Sequence, residues 1–130
     1  MSFLRLCFGF SGRMNRSEYA TMYFGSILAL IAAIALAIGL LNILGDGADS
    51  AAIGISLLVF IIACKWVALG ALVKRLHDVE APGVLCLLAI IPALGFGFFL
   101  LMLFVPGTKG GNHYGAPTSL FGPRISYAGA

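Results

Sequence analysis

Residues 84–105 read VLCLLAIIPALGFGFFLLMLFV, a stretch without a charge that is broken near its middle by Pro92, Gly95 and Gly97. Two further runs, 20–44 and 51–73, are equally apolar, and together the three fill most of the 130-residue chain. None contains an acidic residue, and Lys65 is their one basic interruption. A hydrocarbon slab about 30 Å thick is crossed by about 20 apolar helical residues, each rising about 1.5 Å. Each run is therefore long enough to span. The chain reads as an all-α membrane protein in a single domain, 1–130. Three transmembrane helices are expected over 20–44, 51–73 and 84–105, the third kinked at Pro92. A cytoplasmic segment 1–19 precedes them and a polar, glycine-rich tail 106–130 follows.

Composition agrees. Hydrophobic residues make up 61% and charged residues 10%, against about 25% charged in a soluble domain. A soluble chain this small has too little interior to hide so much apolar surface. A competing view takes the first run as a signal peptide, with Arg5, Arg13 and Arg16 as its basic region and cleavage after Ala35-Leu36-Ala37. The run continues to Leu44, well beyond the roughly 7–15 apolar residues of a cleaved signal, so a retained span is expected. Cys7, Cys64 and Cys86 form no C-x-x-C pair. The two inside apolar runs read as small hydrophobes.

Basic residues near span ends stay in the cytoplasm. Arg5, Arg13 and Arg16 precede the first run, and Lys74 and Arg75 follow the second. The loop 45–50 carries Asp46 and Asp49 and no basic residue. The N-terminus and the loop 74–83 are expected inside, and the acidic loop outside. Three full spans then put the tail outside, with Lys109 and Arg124 against the rule. The alternative is a re-entrant helical hairpin, turning at Pro92 and Gly95-Phe96-Gly97. It would return the tail to the cytoplasm with all of these cations. Turn backbone at mid-membrane depth is tolerated only where protein or a wet cavity covers it, and on that cost the kinked span is the expectation.

Among the apolar positions, Gly25, Ala29, Ala33 and Ala37 share one helix face. Such a stripe suits close helix packing in lipid, here within the protein's own bundle in preference to a dimer seam. Phe3, Leu4, Leu6, Phe8 and Phe10 with Arg5 suggest a short turn on the inner surface. Asn15 or Ser17 is placed to cap the first span, with Glu18 in its first turn.

The polar residues are the candidates for function. Lys65 lies inside a span, where a central lysine costs roughly 2.5–3.5 kcal/mol and favours a partner or a wet site. It reads either as a snorkelling side chain or as an ion or anionic-substrate site. Lys74, Arg75, His77 and Asp78 form a dense cluster after the second run. They suit anionic headgroup binding, together with Arg13 and Arg16, or a topology-setting helix end. His77 beside Asp78 resembles an acid–base pair, but adjacent helical positions do not face each other; Arg13, Arg16 and Glu18 are the alternative partners. His77 and His113 are too few for a metal site, and no metal or cofactor is expected. The tail from Gly107 to Gly115 is as glycine-rich as a phosphate loop, without the Walker spacing. It reads as a folded-back turn that satisfies the last helix carbonyls.

Taken in order, these segments carry a resemblance. Phe10-Ser11-Gly12-Arg13-Met14-Asn15-Arg16-Ser17-Glu18-Tyr19 resembles the F-x-G-R-x-x-R-x-E-Y opening of a bacterial inner-membrane family catalogued as domain of unknown function 805. Arg75-Leu76-His77-Asp78 looks like its central R-L-H-D. Ile91-Pro92-Ala93-Leu94-Gly95 is similar to its I-P-x-x-G kink, and residues 107–115, with Thr108, Asn112 and Tyr114, to its G-T-x-G-x-N-x-Y-G tail. The resemblance covers roughly residues 8–117. The chain departs at Ala20, where the family usually has Trp, and after Asp78, where Glu80, Pro82, Gly83 and Val84 replace a glycine and Ser-Gly-Trp. The resemblance implies a protein of the bacterial inner membrane with about three spans and implies no activity.

The functional expectation is a non-enzymatic accessory subunit or anionic-lipid-binding protein. Its partners would be membrane lipids and a larger membrane complex or a second copy, and no nucleic acid. A small transporter using Lys65 is the alternative. A membrane-surface enzyme using His77 and Asp78 ranks last, because no activated nucleophile is visible.

Overall fold

The computed structural model describes residues 3–47 and 49–116; residues 117–130 of the expected tail, Arg124 among them, lie outside the described residues. A short helix α1 (Phe3–Phe8) leads to α2 (Arg16–Leu44), a 3₁₀ turn (Gly45–Gly47) and α3 (Ser50–Asp78). A 3₁₀ arm (Gly83–Ile90) and α4 (Pro92–Phe104) follow. The long pair α2 and α3 makes the most extensive contact in the fold.

Local chemistry sets the helix ends. Asn15 caps α2 in a reciprocal box: its side-chain oxygen accepts the Glu18 N–H at 2.9 Å, and the Glu18 carboxylate accepts the Asn15 N–H at 3.2 Å. Asp49 caps α3 by accepting the Ala52 N–H at 3.1 Å. The helix α3 continues to Asp78, past the end expected at Val73, so the R-L-H-D segment is the last turn of a helix and not a loop. The reason is that Leu72 and Leu76 stay on the buried stripe of α3, and only after Val79 does Glu80 adopt left-handed backbone, φ 58°.

At 29 residues each, α2 and α3 are about 44 Å long. Both are long and apolar enough to cross a membrane, and almost none of their apolar length is buried. Leu28, Ile43, Ile55 and Val59 face outward. The buried set, in contrast, includes Arg13, Glu18, Lys74, Arg75 and Asp78 beside Met14, Tyr19, Leu76 and Phe99. Charge inside and hydrocarbon outside is the distribution expected when the solvent is lipid, since a soluble monomer rarely exposes a continuous apolar surface of this extent.

The third run departs from its expected geometry. It does not form one kinked span over 84–105; it doubles back. The 3₁₀ arm packs against α4. The turn between them is so tight that a Cβ added at Gly95 would come 2.7 Å from the Ala89 carbonyl oxygen. Both ends of the run sit at the same end of α3. Gly83 lies against Val73 and His77, while Arg75 binds the carbonyl oxygens of Met102 and Val105. With 8 and 13 residues, the arms reach only about 16 Å and 20 Å. Pro92 opens α4 at a first-turn position, where its missing N–H is harmless, so it starts a helix here instead of bending one.

Within the long pair, Ala33 and Ala37 line a groove shared with Ala52, Ser56 and Phe60 of α3. That part of the small-residue stripe therefore faces α3.

Candidate functional site: a buried arginine clamp at one end of the helices

Three segments far apart in sequence converge where α2 begins and α3 ends. The segment entering α2 is held across α3 by the Met14 N–H, which donates to the Lys74 carbonyl at 3.2 Å. Gly70 admits this crossing: a Cβ there would lie 3.5 Å from the carbonyl oxygens of Cys7 and Gly9. Phe10 packs edge-on against Trp66, centroids 5.2 Å apart. Burial pushes the Cys7 thiol above its ordinary range, against the pull of the nearby Lys74 ammonium.

Asp78 is the centre of the clamp. One carboxylate oxygen accepts from Arg13 Nε at 3.0 Å and Nη2 at 2.8 Å; the other accepts from Arg75 Nη1. Arg13 spends its remaining donors on the tail, namely the carbonyls of Thr108 (2.8 Å), Gly110 and Gly115 (3.2 Å) and the Thr108 hydroxyl (3.0 Å). Arg75 donates from Nε to Met102 O at 3.0 Å, from Nη2 to Val105 O, and weakly to Met14 O at 3.5 Å. Arg13 is 2% exposed and Arg75 not at all. Burying two guanidiniums with one carboxylate is costly unless every donor is matched. Here six carbonyl oxygens share the excess positive charge, two of them at the negative end of α4.

The tail completes the cap. Thr108 donates to the Asp78 carbonyl from both its N–H (2.8 Å) and its hydroxyl (3.0 Å). Asn112 Nδ2 donates to the His77 carbonyl at 2.9 Å, and its side-chain oxygen accepts the Tyr114 N–H. The carbonyls left open at the end of α3 are thus closed by the tail, while those of α4 are closed by Arg75. The folded-back turn expected from the glycines is present, but it serves α3 and not the last helix. Gly110 and Gly115 take φ 84° and 118°, which lets their carbonyls turn toward Arg13.

His77 and Asp78 do not pair. The His77 ring stacks on Tyr114 at 4.1 Å and 6°, and its Nδ1 lies 3.2 Å from the Gly12 carbonyl. Arg16 and Lys109 are exposed at the rim of the cap, as is His113, whereas Lys74 is buried. No group of three or more His, Cys, Asp or Glu fit to hold a metal occurs among the described residues. Lys65 stands apart from the clamp, exposed and beside the tip of the folded-back third run, where it lines a cavity of about 570 Å³.

Residue spacing did not single out Gly107, Gly110 and Gly115 individually, nor the backbone carbonyls of Met102 and Val105. A backbone acceptor leaves no mark on residue type. Tyr19 was noted only within the opening motif, yet it is fully buried and its hydroxyl is the one buried side-chain polar atom without a partner among the described residues.

The comparisons with known proteins bear out the resemblance. The family model described as "Protein of unknown function (DUF805)" matches residues 7–116. The inner membrane protein YhaI of Escherichia coli strain K12 is 31% identical over 119 residues, covering 88% of this chain and 90% of that protein. YhaI of Escherichia coli O157:H7 matches to the same extent. No solved structure matches. With four ordered motifs, most of its length matched and a relative along nearly its whole extent, the chain belongs to the DUF805 family.

Proposed function

We propose that this is a bacterial inner membrane protein that crosses the bilayer twice, with α2 and α3. In this reading, the third run dips in from the cytoplasmic side and returns, so the N-terminal segment and the tail form one cytoplasmic cap. The protein acts as a non-enzymatic accessory or anionic-headgroup-binding protein, using the rim of that cap. The observation that carries this is the division of labour among its cations. Arg13 and Arg75 are saturated by Asp78 and backbone carbonyls and hold the cap together. Arg16 and Lys109 are exposed on segments bound to that clamp. Each rim cation near an anionic leaflet is worth about 1 kcal/mol. The candidate set read from sequence is thereby divided: Arg13, Lys74, Arg75, His77, Asp78, Thr108, Asn112 and Tyr114 build the cap, while Arg16, joined by Lys109 from outside that set, addresses lipid or a partner.

The test is lipid retention by the purified protein in mixed vesicles of phosphatidylglycerol and phosphatidylcholine. Wild type is expected to enrich phosphatidylglycerol, and the Arg16→Gln, Lys109→Gln double variant to lose about tenfold in that preference, consistent with about 2 kcal/mol reduced by screening. Equal retention by both proteins would remove the headgroup role. A stoichiometric protein partner lost in the same variant would favour the accessory-subunit form.

A further inference from the structure

Lys65 sits near the middle of α3. It lies 13 residues from the cap end at Asp78 and 15 from Ser50, about 20 Å and 22 Å along the axis. The apolar span ends at Val73, about 12 Å from Lys65 along the axis, so a snorkelling lysine stem covers only part of the way out. It makes no ion pair or hydrogen bond among the described residues. The folded-back third run brings its tip to this depth. Ile90, Pro92 and Gly95 of the tip line a partly open cavity of about 570 Å³ together with Lys65 and Leu69 of α3 and Tyr19 and Tyr23 of α2. Sites for small molecules span roughly 300–1,000 Å³ and are mostly apolar with a few placed polar groups. Lys65 supplies the placed polar group, and Tyr19, fully buried with an unpaired hydroxyl, lies in the wall beneath. Phe96 and Phe99 supply apolar wall.

We propose that this cavity binds a single-chain amphiphile with a carboxylic acid head, its carboxylate against Lys65 and its chain along Phe96 and Phe99. An unpaired cation at mid-membrane calls for a counter-charge that belongs to the membrane phase. Two anionic heads are available there, carboxylate and phosphodiester. A phosphodiester stays ionised and would carry its charge about half-way through hydrocarbon, at heavy cost. A carboxylic acid interconverts with its neutral form and enters without that penalty. The opposite charge of Lys65 then favours the ionised form at the site. The proposal is independent of the rim function above, since Arg16 and Lys109 play no part in it.

The experiment uses the full chain in nanodiscs of phosphatidylcholine, titrated with hexadecanoic acid and separately with hexadecan-1-ol, with bound species read by native mass spectrometry. One hexadecanoic acid per chain is expected, with the alcohol at least about tenfold weaker. Lys65→Met should weaken the acid by at least about tenfold and leave the alcohol unchanged. Lys65→Arg should retain the acid. Equal binding of acid and alcohol would overturn the proposal, as would undiminished acid binding by Lys65→Met. Retention of a phospholipid that only Lys65→Met loses would overturn the carboxylate assignment.

Discussion

Replacing Asp78 by Asn is expected to destabilise the folded protein by about 3–5 kcal/mol, the cost of leaving buried charge uncompensated. Asn keeps the shape of the side chain but removes the carboxylate that pairs with both Arg13 and Arg75. Two guanidiniums would then remain, almost wholly buried, without the carboxylate they share. An amide also presents two donors of its own, one of which would face an arginine. The loss should appear as a lowered unfolding midpoint in detergent, followed through Trp66, which packs on the N-terminal segment at Phe10. Glu80→Gln is the control. Glu80 is exposed, so its neutralisation should stay within about 0.5 kcal/mol. An Asp78→Asn protein within 1 kcal/mol of wild type would mean that water, and not Asp78, balances the clamp.

The second large effect is steric. Gly107→Val should cost at least about 1–3 kcal/mol, the usual penalty of forcing atoms into a filled site. Any Cβ at Gly107 would overlap the Asp78 carboxylate and lie 3.2 Å from Arg75 Nη1. The clamp cannot yield, because the same carboxylate is held from the opposite side by Arg13. Gly111→Ala is the matched comparison: the space at Gly111 is open and its φ is ordinary, so it should be neutral. A Gly107→Val protein as stable as Gly111→Ala, measured by the same unfolding midpoint, would show that the tail does not pack on Asp78.

The membrane helices were legible because hydrophobicity that is continuous all round a helix needs no partner to interpret. The α2 cap was legible for a similar reason, since Asn15 and Glu18 are three residues apart and their box is local. The clamp was only half legible. Arg13, Arg75 and Asp78 were singled out, but their union joins residues 65 positions apart, and the tail contacts span 95 to 102. Nothing in local sequence encodes such a pairing. The end of α3 was read too early because Lys74 and Arg75 look like loop residues, whereas the fold buries them. The third run posed the sharpest choice. Pro92, Gly95 and Gly97 mark a break under either topology. The hairpin follows instead from Arg75 taking the Met102 and Val105 carbonyls, a long-range contact. The tip itself stays exposed over residues 90–94, and the hairpin is anchored through Phe99 and Met102 of its second arm, which are buried.

The central claim is that the third run doubles back, so the tail returns to the side of the membrane from which α2 begins. Fusing reporters after Ala130 tests it directly, one a fluorescent protein that matures only in the cytoplasm and the other a phosphatase active only in the periplasm. A fluorescent first fusion and an inactive second are the predicted result. An active phosphatase with a dark fluorescent fusion would place the tail outside, apart from Arg13 and Asp78, and would contradict the account.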